Sequence, residues 1–172
     1  MNIFAVDKNP RTAAEMLCDK HIVKMLLETG QILSTVHRRY GNDDERLYKT
    51  THQKHPSTLW AGDSIANYDW LYQHFVALND EYWYRYGKDH LTFKKLNEIV
   101  WQCPKGMPMK VFTMPTPAMP DDCKTEGDVV KSYRDYYITK QHKFKMVWTR
   151  RQIPDWFRFY DNNDICLIYG GN

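Results

Sequence analysis

No stretch of this chain stays apolar for the ~20 residues that a bilayer-spanning helix needs. The opening MNIFAVDKNP puts an acid and turn residues where a secretory signal has a basic start and a long apolar run. A cytoplasmic location is therefore expected. The four cysteines, Cys18, Cys103, Cys123 and Cys166, are far apart, and no C-x-x-C pair occurs. That spacing argues against a zinc ribbon and against a disulfide framework. Internal repeats, a phosphate-binding P-loop and a dinucleotide fingerprint are all missing. Charge is not in strong excess either. A net charge of +3 and a pI near 8.6 permit nucleic-acid binding without demanding it.

What is present suits one folded unit. The 172 residues are 42% hydrophobic and 26% charged, enough to build a core and too apolar to stay disordered. Twelve Tyr and six Trp are many for a soluble domain, and such rings either fill a core or stack on bases. The expected architecture is all-α: a compact domain over residues 1–160 around a long N-terminal helix, with a tail of uncertain role at 161–172. Ile3 to Val6 read as a short extended segment. Asn9 and Pro10 then supply an N-cap and a first helical residue, and the helix is expected to run from Pro10 to about Arg39. Gly30 inside it costs about 1 kcal/mol relative to Ala, which suggests a bend or close packing. Tyr40 to Glu45 is a solvated turn, and Leu47 to Pro56 a loop or short helix. A second long helix starts near Pro56 or Ser64 and ends at Gly87. Its apolar ridge is Leu71, Phe75, Leu78 and Tyr82, with Asp69, Gln73, Asn79 and Asp80 facing out. Further helices are expected over His90–Trp101 and Asp128–Gln141. Between them, Cys103–Gly127 holds five of the eight prolines and is rich in methionine, so it is an irregular connection long enough to suspect a role.

The segment Leu17–Val36, LCDKHIVKMLLETGQILSTV, carries the most information. It is almost wholly apolar except for His21, Lys24, Glu28, Gln31 and Thr35, which recur at three- and four-residue steps and so share one helix face. A carboxylate and an imidazole in such surroundings need a partner or a task. His21 and Glu28 stand two turns apart, roughly 10 Å along the axis at 1.5 Å per residue. A ligand fits between them. The bland alternative is a buried structural pair satisfied by Tyr or Trp donors. Lys24, one turn before Glu28, is placed to pair with it.

With this spacing the helix resembles the phage-type pyrimidine-dimer DNA glycosylases, the endonuclease V family. The pattern is Leu-x-Asp-x-His followed by a Glu, here Leu17-Cys18-Asp19-Lys20-His21 and Glu28. Tyr68-Asp69-x-Leu71 and the closing Trp156-Phe157-x-Phe159-Tyr160 are fainter matches. The resemblance implies base excision with strand nicking. An N-terminal amine attacks C1′ of the damaged nucleotide, an imine forms, and β-elimination cuts the strand. An α-amino group, with an intrinsic pKa near 8, offers a useful fraction of free amine at neutral pH. By the same resemblance Glu28 is the acid/base, His21 a positioning group, and the nucleophile the amine of Met1 or a lysine such as Lys24, one turn from Glu28. Three departures stand out. Asn2 follows Met1 where the family exposes a small residue, Leu27 and Gln31 replace arginines that grip DNA, and the segment before the helix is longer.

For DNA contact the candidates are Lys24, Gln31, Arg38, His55, Lys143, Arg150 and Arg151. Lys140, Lys143, Lys145, Arg150 and Arg151, interleaved with Phe144 and Trp148, form the best basic and aromatic patch. The implied partner is double-stranded DNA with a damaged or modified base, bound by a monomer in a bacterial or phage-infected cell. Neither metal nor cofactor is required. Two other readings stay open: an enzyme of the same fold acting on a modified base or nucleotide, and a non-catalytic nucleic-acid-binding module. His52-x-x-His55 with His37, Asp43 or Asp44 also leaves a metal-dependent hydrolase conceivable.

Overall fold

The computed structural model describes residues 1–160; the tail and Cys166 lie outside the described residues. The described residues are all-α, with 51% of them in helices, and form a single compact domain. Its helices are α1 (Pro10–Glu15), α2 (Asp19–Arg39), α3 (Pro56–Ala61), α4 (Ile65–Tyr86), α5 (Leu91–Val100) and α6 (Val129–Ile138). Short 3₁₀ turns sit at Asp121–Cys123 and Thr139–His142.

The expected helix from Pro10 to Arg39 is two helices. Asn9 caps the first by accepting from the amides of Arg11 and Thr12. The chain then breaks at Leu17 and Cys18, where Cys18 is extended (φ −70°, ψ 161°). The break has a tertiary cause. The Cys18 amide donates to the Tyr137 hydroxyl at 2.9 Å and the Asp19 amide to the Val147 carbonyl at 2.8 Å. Partners distant in sequence thus take the donors that a continuous helix would use internally. Asp19 opens α2 with a carboxylate at its positive end. It accepts from Thr149 through both the amide and the hydroxyl, and from Arg85 at 2.8 Å.

Of the two starts expected for the second long helix the structure has Ser64, which caps α4 by accepting from the Asn67 amide at 3.1 Å, while Pro56 opens the separate short helix α3. Gly87 ends α4 in the left-handed region at φ +69°, as its position predicts. Asn79 does not face outward. It is 3% exposed, and its amide ties the turn into α5 by donating to Asp89 and accepting from the His90 backbone. The predicted fourth helix ends early, at Ile138, and continues as the Thr139–His142 turn.

Helix α2 packs on α3, α4 and α5. Gly30 explains one of these contacts: a Cβ there would meet Thr92 Cγ2 at 2.6 Å and Leu96 Cδ1 at 2.9 Å. The glycine is what lets α5 approach so closely. Under α4 lies a charged knot. Arg85, with no side-chain exposure, pairs with Glu81 at 2.6 Å and with Asp19, and Arg151 closes on Glu81 at 2.7 Å. The proline-rich segment is irregular but pinned. Trp60 and Asn67 bind the Thr113 backbone, Tyr133 binds the Thr116 carbonyl, and Asn2 binds the Ala118 carbonyl. Those bonds carry it from the start of α4 to the N-terminal segment. Among the described residues, no helix is long and apolar enough to cross a membrane.

Candidate active site

Residues Ile3, Ala5 and Val6 are completely buried, so the N-terminal segment is part of the core. Asn2 folds it back. Its side-chain oxygen accepts from the amides of Ile3 and Phe4, each at 2.8 Å, and its side-chain nitrogen donates to Ala118 at 2.9 Å. Phe4 takes φ +54°, an unusual conformation for a residue with a side chain. This turn delivers the chain terminus to the middle of α2. The Met1 amine lies 4.0 Å from Glu28 Oε2, and the Asn2 amide donates to that same oxygen at 2.8 Å. Lys24 approaches the other oxygen at 3.4 Å. The Glu28 side chain keeps 13% of its surface accessible, so the carboxylate is partnered but open.

A cleft of about 350 Å³ opens there, between α2, the N-terminal segment, Ala118 and the Tyr136–Phe144 stretch. Its charge is lopsided. Lys20, Lys24, Lys140, Lys143 and the terminal amine surround a single acid, Glu28. Such a cleft attracts anions, and phosphates in particular. A larger cavity of about 830 Å³ lies beside α6, lined by Asp7, Lys131, Arg134, Asp135 and Trp156. Its charges cancel in pairs, Lys131 with Asp135 and Arg134 with Asp7. It offers no comparable unbalanced charge.

His21 lines the cleft but is 4% exposed, packed against Phe4, Tyr137 and Phe144. Its Nδ1 lies 2.8 Å from the Tyr137 hydroxyl, which also accepts from Cys18. Burial, reinforced by Lys24, Lys140 and Lys20, pushes the imidazole down to about 3. It is neutral at physiological pH, which suits positioning rather than proton delivery. Lys140 is the residue that sequence reasoning underrated. It counted as one of five cations in a patch, yet it is 7% exposed, with Nζ 3.3 Å from the centre of the Tyr136 ring. The missed signal was its place one turn after Tyr137, which faces the core side of α6.

The cleft thus gathers Met1, His21, Lys24, Glu28 and Lys143. Gln31 is half-buried on the next turn of α2. His55 caps α3, accepting from the Ser57 amide, and lies near enough to the terminus that burial and the terminal amine both lower its pKa. Arg38, Arg150 and Arg151 are elsewhere. Arg38 holds the Tyr48 and Leu47 carbonyls, Arg150 the Tyr84 carbonyl, and Arg151 the carboxylates of Glu81 and Glu15. Tyr68 of the fainter motif is core, bound to His37 and to the Val100 carbonyl. Trp156 of the closing motif packs on Tyr137 and Arg134. No three metal-binding side chains converge among the described residues, and His37, His52 and His55 go separate ways.

A helical protein whose open carboxylate faces amines in a cationic cleft is equipped to work on nucleic acid, and comparison places it with the DNA repair glycosylases. Residues 1–94 match the family model of pyrimidine dimer DNA glycosylase. That span is more than half of the chain, and the chain belongs to this family. No curated protein and no solved structure matches it.

Proposed function

We propose that the protein excises a damaged pyrimidine from double-stranded DNA and cuts the strand through an imine formed by its terminal amine. The supporting observation is that amine, 4.0 Å from Glu28 in an open, lysine-lined cleft. The amine nitrogen attacks C1′ while the bond from C1′ to the base breaks, and the base departs with that electron pair and a proton. The sugar ring opens to a protonated imine. Loss of a proton from C2′ then expels the 3′ phosphate. Glu28 stabilises positive charge on the sugar and exchanges protons with the amine. His21 braces Phe4 and the wall of the cleft. The exposed lysines Lys20, Lys24 and Lys143 hold the backbone phosphates. Flipping the target base is cheapest where damage has already weakened stacking.

Two positions of the nucleophile satisfy this geometry. With Met1 retained, its amine is the attacking group. With Met1 removed, the Asn2 nitrogen, 2.8 Å from Glu28, becomes the free amine. Borohydride reduction in the presence of ultraviolet-damaged duplex, followed by intact-mass and peptide analysis, is the test. A stable DNA adduct at residue 1 or 2, lost together with turnover in a folded Glu28→Gln variant, is expected. An adduct on a lysine would overturn the terminal assignment, and no adduct would remove the lyase reaction. A second reading, action on a modified base rather than a dimer, draws on Leu27 and Gln31. The first is 40% exposed and the second half-buried, and neither provides the cation expected at its place. Excision from a panel of single-lesion duplexes separates the two readings.

A further inference from the structure

Of the four lysines lining the cleft, three are exposed and one is not. A lysine that clamps phosphate works best as a permanent, accessible cation, which describes Lys20, Lys24 and Lys143. Lys140 is built differently. Its ammonium end lies on the Tyr136 ring at 3.3 Å and faces Phe4 at 5.8 Å. No carboxylate approaches within ion-pair distance among the described residues, although Glu28 lines the same cleft. The groups around it from neighbouring elements are Lys20, His21, Lys24 and Glu28 on α2, the Met1 amine, the Cys123 thiol and Lys143 on its own turn. All the charged ones except Glu28 are cations.

We propose that Lys140 is the base of the strand-cutting step, taking the C2′ proton from the imine-bound sugar. This rests on the imine chemistry proposed above. The C2′–H bond breaks and its proton goes to Nζ. The electron pair enters the C1′–C2′ bond as the imine nitrogen becomes neutral, and the C3′–O bond then breaks with the phosphate keeping its electrons. Glu28 suits this step less well, because it already accepts from the Asn2 amide and lies between the terminal amine and Lys24. A neutral amine is available at Lys140 for a physical reason. The Tyr136 ring favours the ammonium, but burial, then Lys143 and, more weakly, Lys24 oppose it against the thiol of Cys123, and bring the amine down to about 8.

The test uses the full chain and duplex DNA carrying one abasic site, which bypasses base removal. Lys140→Arg keeps the charge and the stem but cannot release a proton near neutrality, and Lys140→Met removes both charge and base. Borohydride adduct yield and nicking rate are measured from pH 6 to 9. Both variants are expected to trap DNA at the wild-type yield while nicking about 100-fold more slowly, the usual scale for one general base. The wild-type nicking rate should climb with pH and level off above about 8, and Lys140→Arg should lose that rise. Nicking by Lys140→Arg within twofold of wild type, with the rise intact, overturns the proposal. So does an adduct mapped to the Lys140 peptide, which would make it the nucleophile. Absence of any wild-type adduct fails the imine reading itself, and Lys140's role falls with it.

Discussion

Lowering the pH from 7.5 to 5 should cost this protein several kcal/mol of stability, through three histidines held neutral in the core. His37 shows why. The Tyr68 hydroxyl spends its proton on the Val100 carbonyl at 2.8 Å, so the 2.7 Å contact with His37 runs from the ring Nε2–H to the Tyr68 oxygen. The other nitrogen, Nδ1, accepts from Asn42 at 3.0 Å. A second proton on the ring would face that amide's N–H. His74 donates from Nδ1 to the Pro10 carbonyl, and its Nε2 is buried without a partner. Burial is the first cause in each case, and it holds His37 and His74 at about 4 and His21 at about 3. In the unfolded chain all three titrate near 6.5. Above that pH both states are neutral and the full stability is present. Below it the unfolded chain takes up protons that the fold refuses, so stability falls until the folded pKa values are reached. At pH 5 the loss is about 2 kcal/mol per histidine, or about 6 kcal/mol together, comparable with the whole stability of many domains. Urea unfolding followed by tryptophan fluorescence at the two pH values measures it. An unchanged or higher midpoint at pH 5 would refute the reasoning. Asp19 and Asp44 lie below the ordinary carboxylate range, so their contributions are lost only at lower pH.

Three other outcomes are expected. Glu81→Ala should destabilise the fold by about 3–5 kcal/mol in chemical denaturation, because it leaves the buried Arg85 short of a carboxylate. Gly30→Ala gains helix propensity but drives a methyl group into Thr92 and Leu96, so a net loss of about 1–3 kcal/mol is expected from the same measurement. Lys143→Met should weaken DNA binding at low salt and flatten the slope of log affinity against log salt by about 0.9, read by fluorescence anisotropy. Lys145→Met is the matched control outside the cleft-lining set.

The helical class and the polar stripe on α2 were legible because they depend on periodicity, which is local. Asn9 with Pro10, and Gly87, announced real boundaries for the same reason. The break at Cys18 was hidden because its causes, Tyr137 and Val147, are more than 100 residues away in sequence. Asn79 reads as a surface residue by polarity, and only the turn it closes explains its burial. At the site, the nearness of Glu28 and Lys24 follows from helical spacing, whereas the 4.0 Å approach of the terminal amine depends on Asn2 reaching Ala118. Arg150 and Arg151 look like nucleic-acid ligands in a linear reading. Their engagement with the Tyr84 carbonyl and with Glu81 emerges only once α4 is folded beside them.

The tuck of the first residue into the protein, where the Met1 side chain retains 2% of its surface, has a practical corollary for recombinant work. Any affinity tag or reporter fused upstream would convert the amine into an amide and would have to leave through the cleft itself, past Lys20, Lys24 and Lys143. Under the proposed terminal-amine mechanism, a preparation carrying leftover leader residues should look inert for reasons unrelated to its folding.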